Sequence, residues 1–104
     1  MNIVIVGKLV AALDPHSGTG RNGAWFLQEF LVEMAEIKRD GTQYPTKILF
    51  TIDNEEHAQQ LCELVGHVIT AYCSVKAYQN MVNGKWYNNC KAFSVREGAH
   101  STQA

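Results

Sequence analysis

Between Leu64 and Arg96 the chain carries four basic residues, Lys76, Lys85, Lys91 and Arg96, and neither aspartate nor glutamate. Tyr72, Tyr78, Trp86, Tyr87 and Phe93 are interleaved with them. Cations among flat rings suit one kind of chemistry: the charged groups meet a phosphate backbone, and exposed rings stack on bases for about 1–3 kcal/mol each. Trp25, Tyr78, Trp86 and Tyr87 are the candidates for stacking, and Arg21, Lys47, Lys76, Lys85 and Lys91 for phosphate contact. Each tryptophan begins a strand beside a glycine turn, which favours exposure. The plainer reading is that strand tyrosines and phenylalanines pack inward and that lysines on a strand face are merely solvated.

Other chemistries find little support. The histidines at 16, 57, 67 and 100 lack the spacing of metal ligands. Gly18-Thr-Gly-Arg-Asn-Gly23 has no phosphate-loop lysine and no following helix, and no Ser-His-Asp set or paired carboxylates can be assembled. The cysteines at 62, 73 and 90 are odd in number and without Cys-x-x-Cys spacing, so they are expected to be small core residues in a reducing cytoplasm. We expect no enzyme activity, cofactor, metal or small-molecule substrate.

The formal charge is −1, from 9 basic and 10 acidic residues, which excludes a global positive field that would capture polyanions from a distance. Charge is instead unevenly placed. Asp53 to Glu63 carries four acids and no lysine or arginine, making that segment the negative pole and the last hairpin the cationic one. A chain of 104 residues, 46% hydrophobic and 18% charged, suits one globular domain. Met1 to Leu13 is apolar but is interrupted by Gly7 and Lys8, too early for a membrane span.

The elements that position these residues follow from periodicity. Ile3 to Val10 reads as a strand covered on both faces, stopped by Asp14-Pro15. Asp14 to Gly23 holds three of the eight glycines and reads as a long, mobile loop. Ala24 to Ala35 alternates with period two, placing Phe26, Phe30, Val32 and Met34 opposite Trp25, Leu27, Glu29 and Leu31. Tyr44 to Ile52 alternates likewise, with Ile48, Phe50 and Ile52 inward and Lys47 outward. Asp53 is placed to cap a helix of about three turns, with Glu56 closing a capping box, Ala58, Leu61, Cys62 and Val65 on one face, and Gly66 ending it.

Val68 to Tyr78 and Trp86 to Arg96 then flank Asn83-Gly84, the strongest short hairpin signal. A two-residue turn there sets Tyr78 opposite Asn89, Lys76 opposite Lys91 and Ser74 opposite Phe93. Two facing lysines would repel unless a phosphate lay between them. Tyr72, Tyr78, Tyr87 and Phe93 share that face.

The expected order is β-β-β-α-β-β, the succession of a five-stranded Greek-key barrel of the oligonucleotide-binding (OB) type with one helix between strands 3 and 4. On Gly7-Lys8-Leu9, Trp25 with Gln28-Glu29-Phe30, Tyr44-Pro45 with Lys47-Ile48, and Asn83-Gly84-Lys85-Trp86-Tyr87 with Lys91-Ala92-Phe93, the chain resembles the OB-fold single-stranded-DNA-binding proteins. It is most similar to a small, uncharacterised bacterial family related to them. The resemblance spans residues 3 to 97. It implies a non-enzymatic oligonucleotide-binding barrel, often oligomeric. Those bacterial proteins end in an acidic tail that recruits partners, whereas this chain ends Ala99-His-Ser-Thr-Gln-Ala104, so no general replication role is expected.

The reading is therefore an OB domain over residues 1–97 with a disordered tail over 98–104. The expected partner is single-stranded DNA or RNA, DNA before RNA, bound without strong sequence choice, by a homodimer or homotetramer away from membranes. The alternative is a protein-interaction or structural module that offers its aromatic patch to a protein.

Overall fold

A computed structural model describes residues 1–99; the greater part of the expected disordered tail lies outside the described residues. The elements are β1 (Asn2–Ala12), β2 (His16–Gly20), β3 (Gly23–Ile37), β4 (Gln43–Ile52), α1 (Glu55–Cys62), β5 (Val68–Gln79) and β6 (Trp86–Glu97). The strands run β1-β5-β6-β4-β3-β2. Further antiparallel pairing of β1 with β3 (Lys8 with Glu33, Ala12 with Phe30) closes the ring into a barrel. β2 is appended to the outer end of β3.

β1 changes partner halfway, running from β5 (Asn2–Lys8) onto β3 (Lys8–Ala12), with an irregularity between Leu9 and Ala11. Gly7 sits at this crossing. A Cβ there would lie 2.5 Å from the Glu33 carbonyl oxygen and 2.8 Å from Val32 Cγ1, so only glycine lets the two strands approach this closely. The expected double-sided burial of the first strand is only half met: Ile5 and Leu9 are buried, whereas Val4 on the other face is exposed.

The period-two reading of β3 and β4 holds. Phe30, Val32, Phe50 and Ile52 are fully buried, and Phe30 stacks on its cross-strand partner Phe50 at 5.8 Å between centroids. Ile5, Leu9, Ile69, Ala71, Cys73 and Ala92 complete the barrel core, and Ala58 and Leu61 of α1 join the same cluster.

Four expectations require correction. Asp14 to Gly23 is not a long mobile loop: it contains β2, which pairs His16 with Leu27 through Gly20 with Gly23 around the turn residues Arg21-Asn22. With β2 counted, the helix lies between β4 and β5, the third and fourth strands of the barrel as expected. It spans eight residues and is capped by Asn54, whose Oδ1 accepts from the His57 N–H at 2.9 Å, not by Asp53. Cys62, the last residue of the helix, and Val65, beyond its end, are exposed rather than part of a buried face. Finally, the helix is closed by Glu63 rather than ended by Gly66, which lies beyond it with a positive φ of 95° and donates its N–H to the Leu9 carbonyl.

Candidate nucleic-acid interface

β5 and β6 pair Gln79 with Trp86, Tyr78 with Tyr87, Lys76 with Asn89 and Ser74 with Lys91. The two-residue turn at Asn83-Gly84 is thus replaced by a loop over residues 80–85. Asn80 organises it: its Oδ1 accepts from the Val82 and Asn83 N–H groups, its carbonyl accepts from Gly84, and its own N–H donates to Lys85. Lys76 and Lys91 therefore do not face each other. They remain on the same face, one ladder step apart, because the register moves by an even number of residues and leaves the pleat intact.

That outer face carries Ser74, Lys76 and Tyr78 from β5 and Tyr87, Asn89 and Lys91 from β6. Beyond Lys76 on one strand and Asn89 on the other, both faces of the hairpin are exposed, so it projects past the barrel. Tyr78 and Tyr87, 50% and 40% exposed, stack on each other at 5.7 Å with 27° between planes. The Asn83 amide donates to the Tyr87 hydroxyl at 3.1 Å, tying the ring pair to the loop. Below it, Ser74, Lys76, Asn89, Lys91 and Phe93 line a shallow pocket of about 270 Å³.

Trp25 occupies the opposite end of the surface. It pairs with Gly18 across β2 and β3, and a Cβ on Gly18 would fall 2.9 Å from three atoms of the indole, Cε2, Cζ2 and Nε1. The ring lies flat on bare backbone and also lines a groove of about 580 Å³ with Asp53 and Glu55. Gly18→Ala should lift the indole off β2 and shift its emission to the red, read in a Trp86→Phe background. Unchanged emission would mean that the ring does not rest on Gly18.

Asp53 connects the two ends. It lines the Trp25 groove and also the adjoining one, which Lys91 and Phe93 share. The Asp53 carboxylate forms an ion pair with Lys91. The outer track thus runs from Trp25 past Asp53 to Lys91, Phe93 and Lys76, and ends on the tyrosine pair.

Not every candidate joins it. Trp86, 67% exposed, lies on the hairpin face opposite to Tyr87, since neighbouring strand residues alternate. Lys85 lies in the hairpin loop and Arg21 in the β2–β3 turn, each at a tip. Lys47 stands opposite Glu33, which is also in register with Lys8 of β1, so its surroundings are of mixed charge. Phe93, 59% exposed, is a more prominent ring than its place in the sequence pattern suggested. The ladder is irregular between Tyr72 and Cys73, where Phe93 of β6 is left without a register partner, and that distortion is invisible in sequence.

The cysteines divide. Burial pushes the Cys73 thiol up to about 12, with Cys90 beside it adding to the shift, so Cys73 is an inert core group. Cys62 instead lies exposed, accepting weakly from the Gln28 amide at 3.8 Å. Among the described residues no helix is long and apolar enough to cross a membrane.

Comparison with solved structures decides the fold. The mitochondrial single-stranded DNA-binding protein of S. cerevisiae aligns with a TM-score of 0.62 over 92% of this chain and 91% of its own, at 15% identity. A small single-stranded DNA-binding protein from Mycoplasma pneumoniae aligns at 0.63 over 98% and 97%, at 6% identity. The chain has the OB fold. The dimeric N-terminal domain of PriB from Thermoanaerobacter tencongensis shares it as well, at 0.57 and 16% identity over 95% and 97%. Neither the family models nor the curated proteins compared with the chain match it. The five-stranded barrel read from the sequence is thus the one found, with β2 as an added ribbon.

Proposed function

We propose that this OB domain binds single-stranded nucleic acid, DNA in the first instance, without strong sequence choice. The observation that carries the reading is the outer track, where exposed rings at Trp25, Phe93 and the Tyr78–Tyr87 pair alternate with Lys76 and Lys91 on one continuous surface. Rings accept any base, and Lys76, without an ion pair among the described residues, is free for a phosphate. The single-stranded DNA-binding proteins that share the fold support the ligand class. Lys47, Lys85 and Arg21 extend the cationic surface on either side, and Trp86 offers a further ring from the back of the hairpin. The role is binding rather than catalysis, by a homodimer or homotetramer in a reducing cytoplasm; the dimeric PriB domain supports self-association.

The test is quenching of Trp25 and Trp86 fluorescence by oligo-dT at several salt concentrations. Quenching that weakens steeply with salt is the expected result. No quenching at tens of micromolar strand, with folding intact, would sink the reading. Lys76→Ala should make the dependence of log affinity on log salt shallower by about 0.7, the share of one phosphate contact on a single strand. An unchanged slope would remove Lys76 from the site.

One observation favours a second reading. The hairpin loop is tightly hydrogen-bonded yet holds Met81 and Val82 almost wholly in solvent, 91% and 96% exposed. A rigid apolar tip suits a protein partner, and absence of oligonucleotide binding would leave this interaction module as the remaining function.

A further inference from the structure

Lys91 lies at the middle of the track and is already neutralised. Its ammonium pairs with Asp53, and the two side chains are about half exposed, 46% and 52%. The partnership is built into the barrel. Thr51 is in register with Lys91 where β4 and β6 run parallel, which brings Asp53, two residues on, alongside the same cation. Asp53 has been released for this by Asn54, which caps α1 in its place.

The position of the pair matters more than its strength. Asp53 lines the Trp25 groove and the next one; Lys91 lines that second groove and the pocket formed with Ser74, Lys76, Asn89 and Phe93. A strand lying on the rings at both ends has to cross this point. Glu55 faces the first groove, Glu56 and His57 the second, and Lys76 the pocket.

We propose that Asp53 is a resident competitor for a phosphate subsite at Lys91, a carboxylate that a nucleotide phosphate must displace before the pocket beside Phe93 can take a nucleotide. This rests on the nucleic-acid reading and deepens it. A carboxylate offers Lys91 the same anionic acceptor oxygens as a phosphate. Exposed ion pairs of this kind are weak, so the exchange is open to a strand already held by stacking.

The exchange leaves a mark in salt dependence. A phosphate that pairs with a bare lysine releases a condensed counterion, and this release makes binding salt-sensitive. Here the freed Asp53 takes up a cation as the phosphate gives one up. Lys91 thus contributes a contact with almost no salt slope while Asp53 is present.

The experiment titrates fluorescein-labelled oligo-dT with the full chain and with Asp53→Asn, Lys91→Ala and the double variant, over a salt series, with folding checked by thermal melting. Asp53→Asn is expected to bind about twofold to fivefold more tightly at low salt. Its log–log slope should steepen by about 0.7. Lys91→Ala should keep the wild-type slope, and the double variant should return to it. Asp53→Ser serves as a second neutral replacement should the asparagine variant fail to fold. Wild-type binding with an unchanged slope in both neutral variants overturns this inference alone; absence of wild-type binding overturns the nucleic-acid reading with it.

Discussion

A Trp25→Ala variant is expected to bind oligo-dT about 1–3 kcal/mol more weakly than the wild type, from about fivefold to more than a hundredfold, as one base–ring stack is lost. The effect should be large because this ring needs no rearrangement. It is held against the Gly18 backbone on one side and lines the groove with the other, so little side-chain freedom remains to be lost on binding. Trp86→Ala should cost less, since its ring lies on the opposite face of the hairpin from the tyrosine pair and cannot stack on the same run of bases. Fluorescence anisotropy of a labelled oligonucleotide at fixed salt measures both. Equal affinities for Trp25→Ala and wild type would remove Trp25 from the site, whatever the other rings do.

The long strands were legible because burial on one face imposes a period. Phe30, Val32, Phe50 and Ile52 recur at every second position and are all buried. β2 was not legible for the opposite reason. His16-Ser-Gly-Thr-Gly20 has no apolar alternation, and it is a strand only because β3 offers it a partner edge. Intrinsic preference is a poor guide when pairing rather than burial makes the strand.

The last hairpin shows a subtler division. Asn83-Gly84 does sit in the turn, and Gly84 has a positive φ of 71°, but Asn80 captures the loop two steps earlier through its side chain and its carbonyl. From Cys73 to Gln79 the change in register is even. Outward residues of that part of the hairpin therefore stayed outward while their cross-strand partners changed, so the common face of Tyr78 and Tyr87 was readable and the facing lysines were not. The Asp53–Lys91 pair lay further out of reach. It depends on a parallel contact between strands far apart in sequence, and local pattern assigned Asp53 to the helix cap that Asn54 in fact fills.

Phe30→Ala should be the most damaging single substitution for stability, at about 3–5 kcal/mol, against roughly 5–15 kcal/mol for a whole domain. Phe30 has no solvent exposure, stacks on Phe50, and sits where β3 is flanked by β4 on one side and by Ala12 of β1 on the other. Truncation there opens a cavity at the seam that closes the barrel, and no neighbouring strand can move inward without breaking a ladder. Phe93→Ala removes the same side chain from the same kind of strand, yet its ring is 59% exposed, and the cost should stay within about 0.5 kcal/mol. Urea denaturation separates the two, with a large fall in midpoint for the first and almost none for the second, at unchanged m. If Phe93→Ala proved the more destabilising, the outer face of β6 would be a packing surface, and the ring beside Lys91 would not be available for a base.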